Sequence, residues 1–148
     1  MTKQGMKNWV CGGLVAVLLT ATSWGASMSV QIPFPFTASE KLLPAGNYLV
    51  TPIDGKNALR LQQMDGKEFT YLLVQRTSLK NDDRNYLLFN RYGSEYFLRE
   101  LNSATVDMGC AVLKSSREGK LASELARKYG KGERAALPAQ VNIALKAE

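Results

Sequence analysis

The sequence predicts a mainly β protein, a single antiparallel β-sandwich or small partly closed barrel of about seven strands, followed by one C-terminal α-helix. Three observations lead there. Turn signals recur roughly every 8 to 16 residues: Pro44-Ala45-Gly46-Asn47, Asp54-Gly55, Asp65-Gly66, Asn81-Asp82-Asp83, Gly93-Ser94 and Asn102-Ser103. The segments between them are rich in aromatic and branched apolar residues. After Leu113 the apolar spacing changes from the period of a strand to that of a helix.

The first expected strand is Ser29 to Phe36. Pro33 and Pro35 each remove a backbone donor, which makes it an edge strand or an irregular lead-in. Tyr48 to Thr51 is the second. Pro44 fixes φ ahead of it and Gly46 supplies the turn, so Pro-Ala-Gly-Asn-Tyr reads as the device that starts this strand. In the third, Ala58 to Gln63, Leu59 and Leu61 alternate with Arg60 and Gln62, the mark of a sheet wetted on one face. The fourth, Phe69 to Arg76, has apolar groups on both faces and is expected to be central. Asn85 to Tyr92 and Glu95 to Leu101 form the clearest hairpin, with Gly93 free to take φ > 0 at the turn. Val106 to Val112 is the seventh, and the β domain is assigned to residues 28–113.

Residues 114–130 are assigned to the helix, running from about Ser116 to Tyr129. Ser115 and Glu118 have the spacing of a capping box. Leu121, Leu125 and Tyr129 recur on one face, Arg127 and Lys128 suit the helix C-terminus, and Gly130 suits the position after it. The narrow apolar stripe is expected to dock against the sheet. Residues 131–148 are expected to form a loosely ordered basic tail, in which only Val141 to Leu145 offers a short strand.

Residues 1–27 read as a secretory signal peptide. Lys3 and Lys7 precede an apolar stretch from Trp9 to Leu19, well short of the roughly 20 residues of a membrane span. Small residues at −3 and −1 fit cleavage after Gly25 or after Ser27. The expected product is periplasmic or extracellular, with no membrane span. Cleavage removes Cys11 and leaves Cys110 alone, so no intrachain disulfide is possible and Cys110 is expected to be a buried structural thiol.

The chain carries 19 Lys+Arg against 13 Asp+Glu, and no histidine. Catalytic arrangements and metal sites that depend on imidazole are therefore excluded. Between residues 28 and 113 the 9 basic and 9 acidic residues cancel, so once Lys3 and Lys7 are removed the positive excess lies in the C-terminal segment, with 8 basic and 4 acidic. A nucleic-acid module would carry its basic stripe on the folded face with interleaved aromatics, so no nucleic-acid partner is expected. Asp82 and Asp83 share a loop with Asn81 and Asn85 but lack the spacing of a dedicated calcium loop. No metal, cofactor or catalytic residue is assigned. Glu95 and Glu100 are the acidic pair nearest to a glycosidase arrangement, but their spacing along a strand is expected to point them apart. The aromatic and basic residues of the central strands remain. Tyr71, Tyr86, Tyr92 and Tyr96, with Arg91 and Arg99, are the candidate ligand contacts, set against a plain core role for the aromatics and solvent exposure for the arginines.

Two stretches carry a resemblance: Val30-Gln31-Ile32-Pro33-Phe34-Pro35-Phe36-Thr37 leading into Leu43-Pro44-Ala45-Gly46-Asn47-Tyr48-Leu49-Val50, and Leu88 to Leu98 followed by Lys114-Ser115-Ser116-Arg117-Glu118. Over residues 28–128 the chain resembles a group of small, exported, uncharacterised proteins of acidobacteria and similar environmental bacteria. The resemblance implies export and one β-rich domain, and it carries no residue roles. The leading expectation is a non-catalytic envelope or periplasmic module that binds an unknown small molecule or an envelope protein. Two alternatives stand beside it. One is a carboxylate-based hydrolase of envelope or plant polysaccharide, which requires two acidic side chains in one cleft. The other is a structural or adhesive subunit assembling through an exposed edge strand at residues 29–36.

Overall fold

A computed structural model describes residues 27–53, 55–66, 68–78, 83–105, 107–130, 134 and 137–147; residues 1–26, with Cys11 and nearly all of the expected signal peptide, and Asn81 and Asp82 lie outside the described residues. The chain is mainly β with one helix. Its elements are β1 (Met28–Ile32), β2 (Phe36–Ala38), β3 (Lys41–Leu43), β4 (Gly46–Pro52), β5 (Ala58–Gln63), β6 (Phe69–Thr77), β7 (Tyr86–Tyr92), β8 (Glu95–Ser103), β9 (Met108–Val112), α1 (Ser116–Tyr129), β10 (Ala139–Ala144) and β11 (Lys146–Ala147).

Among the described residues eleven strands replace the expected seven or so. The first expected strand is broken in two, because Pro33 and Pro35 lack amide hydrogens and Phe34 is restrained by the proline after it. Its second half, β2, turns back on β3, which went unpredicted. The last two strands lie in the stretch expected to be a loose tail. Val141 and Ile143 alternate with polar or small neighbours there, a pattern too short to specify a strand until β7 supplies its partner.

The strands run in the order β10-β7-β8-β9-β6-β5-β4-β1-β11, with β2 joined to β3 and β8. Neighbours along the path are antiparallel, but Thr37 of β2 pairs in parallel with Phe97 of β8, so the sheet is mixed. β4 pairs with all of β1, and β11 covers only Met28 and Ser29 on its other side. β6 joins two halves of the path, pairing Phe69–Leu73 with β5 and Val74–Thr77 with β9. The first and last strands of the path, β10 and β11, are separated in the chain by Leu145 alone.

Alternation places one face of every long strand in a shared core: Val30 and Ile32, Tyr48 and Val50, Leu59 and Leu61, Leu72 and Val74, Leu87 and Phe89. Aromatic rings run through it edge to face. Phe36 meets Tyr48 and Phe89 at centroid distances of 5.4 Å, and Phe34 meets Phe89 at 5.3 Å. β6 is central in the path, as expected, lying between β9 and β5, but only one of its faces is buried. Leu72 and Val74 point inward, while Phe69, Tyr71 and Leu73 are about half exposed or more. β7 is the strand covered on both sides, because α1 bonds to the β7–β8 hairpin and leaves the outer face of β6 open.

The helix caps are as the sequence predicts. Ser115 Oγ accepts from Glu118 N at 3.0 Å, and Gly130 takes φ of 84° after the last turn. The docking is different. The helix's one buried residue is Glu118, whereas Leu121 and Leu125 are half-buried and Tyr129 is exposed. The first turn is held by polar bonds. Arg117 makes a two-pronged contact with Glu95 at 2.6 and 2.9 Å, and Glu40 accepts from Ser116 N at 2.8 Å. Among the described residues no helix is long and apolar enough to cross a membrane.

Candidate functional site

On β7 the alternation that sends Leu87 and Phe89 into the core sends Leu88, Asn90 and Tyr92 to the opposite face. Asn90 is only 2% exposed there. Its Nδ2 donates to Glu118 Oε1 at 2.8 Å, and the Tyr92 hydroxyl donates to the same oxygen at 3.4 Å. Glu118 is itself 2% exposed, so its carboxylate is spent on β7. Burial, then the charge and hydrogen bond of Glu118, raise the Tyr92 pKa above the usual phenol range, and Arg99 acts weakly the other way. The phenol keeps its proton. Asn90 Oδ1 is buried and has no hydrogen-bond partner.

Arg99 reaches this place through a β-bulge. Phe89 pairs with Leu98 and Leu88 with Glu100, so Arg99 is the extra residue of β8. The bulge lets Leu98 and Leu101 both enter the core although they are three apart, and it turns Arg99 outward beside Tyr92. Lys114, just before α1, and Leu137, Pro138 and Gln140, at the start of β10, complete the walls. Together these residues line an open cavity of about 570 Å³.

No family model, curated protein or solved structure matches the chain.

The six candidate contacts fall into separate places. Tyr92 and Arg99 share the cavity just described. Arg91 and Tyr96 form a second group: the Arg91 guanidinium lies 5.7 Å from the Tyr96 ring, which stacks on Phe34 at 3.8 Å. Tyr86 is buried, with the Arg84 guanidinium 5.9 Å from its ring. Tyr71 stands 57% exposed on the outer face of β6, edge-on to Phe69. Sequence reasoning missed Asn90, Glu118, Lys114 and Gln140. Two signals marked the place. Asn90 is a polar residue in the apolar run Tyr86 to Tyr92, and the spacing from Leu98 to Leu101 breaks the two-residue period where the bulge lies.

A second cleft, of about 390 Å³, brings two carboxylates together, but the partner of Glu95 is Glu40 rather than Glu100. Both are engaged by the helix. Glu40 caps Ser116, and the hydrogen bond from Arg117 holds the Glu95 carboxyl below the usual range despite some desolvation. An acid so depressed is a poor proton donor near neutral pH. In the loop weighed for calcium, Asp82 lies outside the described residues, and Asn85 is bonded to Ser103 Oγ at 3.0 Å and Thr105 Oγ1 at 2.9 Å. Among the described residues no group of three or more Cys, Asp or Glu is placed to hold a metal.

Cys110 is fully buried, and desolvation pushes its thiol up to about 11. A thiol-specific aromatic disulfide at about pH 8 is expected to leave Cys110 unmodified in the folded chain and to titrate it in denaturant. Rapid modification of the folded chain would show that the β8–β9 pair opens readily.

Proposed function

We propose that the chain is an exported envelope or periplasmic protein that holds a small polar ligand, without catalysis, in the cavity between β7, β8, β10 and the start of α1. The observation that carries this reading is Asn90 Oδ1, a buried acceptor without a partner on a residue that lines the cavity. Such an acceptor costs about 1–3 kcal/mol if left unmet, and a ligand donor removes that cost. The volume falls within the range of roughly 300–1,000 Å³ common to small-molecule sites. Export is supported by the Lys3/Lys7 apolar leader and by the resemblance to exported proteins.

The finer fold belongs to the same proposal. The segment from Ala139 to Ala147 pairs with β7 through β10 and with β1 through β11, and so draws the sheet into a partly closed barrel with the cavity on its outer side near β10. The hydrolase reading is less favoured, because Glu95 is paired with Arg117 and Glu40 with the helix N-terminus. The edge-strand assembly keeps only part of its expected edge, since β11 covers Met28 and Ser29 and β2 is paired with β3 and β8.

Native mass spectrometry of the chain recovered gently from its host's envelope fraction tests the reading. The expected result is a mass beginning at residue 26 or 28 with a reproducible small adduct, lost in the Lys114→Ala/Gln140→Ala variant. An uncleaved mass would overturn the soluble periplasmic form. A bare chain in both forms would overturn a tightly held ligand.

A further inference from the structure

We infer that the ligand of this cavity is a sugar acid, a hydroxylated compound of monosaccharide size or larger that carries a carboxylate. The inference rests on the cavity being the binding site proposed above. Its walls are polarised. At the β7 side the chain offers acceptors. Asn90 Oδ1 has no donor, and the Tyr92 hydroxyl has turned its proton to Glu118, leaving its oxygen lone pairs. Both ask for hydrogen-bond donors. An ammonium group would supply them but would meet Arg99 and Lys114. Neutral hydroxyls meet no such penalty.

The other polar groups are cations. Arg99 and Lys114 are donors only, and neither takes part in an ion pair among the described residues. Set against the buried Glu118 carboxylate, they leave one positive charge for the ligand to balance. That matches a carboxylate better than a dianionic phosphate. Leu137 and Pro138 add an apolar wall, suited to the C–H face of a ring. The hydroxyls therefore face Asn90 and Tyr92, and the carboxylate faces Arg99 and Lys114.

The test is titration of the purified full chain with glucuronate, glucose, glucose 6-phosphate and acetate, followed by the backbone amide resonances of Asn90, Arg99 and Gln140. Glucuronate is expected to bind saturably, glucose roughly tenfold more weakly or worse, and acetate not measurably. The Arg99→Gln/Lys114→Gln variant is expected to bring glucuronate down to the level of glucose, its amide spectrum showing that it is folded. Equal binding of glucose and glucuronate would overturn the acid while leaving the site in place, and tighter binding of glucose 6-phosphate would overturn the carboxylate. No response of these amides to any of the four would overturn the site itself. A trimer of galacturonate that binds more tightly than the monomer would assign the ligand to a polysaccharide, and equal binding would assign it to the free acid; both outcomes support the inference.

Discussion

A chain ending at residue 138 is expected to lose its cooperative urea transition and to aggregate. The missing segment is short, but it contributes on two fronts. β10 pairs six residues with β7, and β11 pairs two with β1. Leu145 between them is 6% exposed within the core, and its amide donates to the Asn85 carbonyl at 3.0 Å. Val141 and Ile143 pack against the same core. Each buried aliphatic side chain contributes about 1.5–3 kcal/mol and each backbone bond about 0.5–1.5 kcal/mol, so their sum is comparable to a whole domain stability of about 5–15 kcal/mol. Truncation also bares one edge of β7 and one end of β1, and unpaired strand edges template association. Urea denaturation and light scattering after size exclusion would read both effects. An unchanged midpoint with an unchanged mass would mean that β10 and β11 are peripheral.

Phe89→Ala is expected to cost about 3–5 kcal/mol. Phe89 is 0% exposed and is met edge-on by Phe34 and Phe36 at 5.3 and 5.4 Å. These rings come from the segment around β2, so Phe89 ties the β7–β8 hairpin to the N-terminal strands. Removing it leaves a cavity that the surrounding strands cannot fill by small shifts. Phe89→Leu keeps much of the volume and is expected to cost considerably less. Tyr71→Ala, on the open face of β6, is expected to stay within about 0.5 kcal/mol of the parent. Urea midpoints at unchanged slope would rank the three. A Phe89→Ala variant as stable as the parent would show that the aromatic chain carries no weight in the core.

The order of these effects follows features that were unequally legible in the sequence. The β7–β8 hairpin could be read because apolar alternation and a turn glycine agree locally, and Gly93 does take φ of 63°. The helix ends could be read for the same reason, since caps are local chemistry. The central place of β6 was legible from its apolar residues, but apolar residues on both faces of a strand do not reveal which face another element will cover. α1 bonds to β7 and β8 and leaves Phe69, Tyr71 and Leu73 in solvent. Glu118 was accounted for by the capping box, but only its amide serves the cap, and its carboxylate goes to Asn90 and Tyr92 instead. Of the candidate contacts, Tyr92 and Arg99 could be named, but their meeting depends on a bulge whose register no single strand specifies.

The sequence by itself therefore determined the mainly β class, the positions of most strands and the caps of the single helix. It also excluded imidazole chemistry, because these are matters of composition, period and neighbouring residues. Only the tertiary structure decided that the C-terminal residues form two strands that pair with β7 and β1. Only it decided which faces are covered, and that Asn90, Tyr92, Arg99 and Glu118 gather in one place. Those outcomes depend on pairings between residues far apart in the chain. The free energy of such a pairing lies in the partner's surface as much as in the residue's own character.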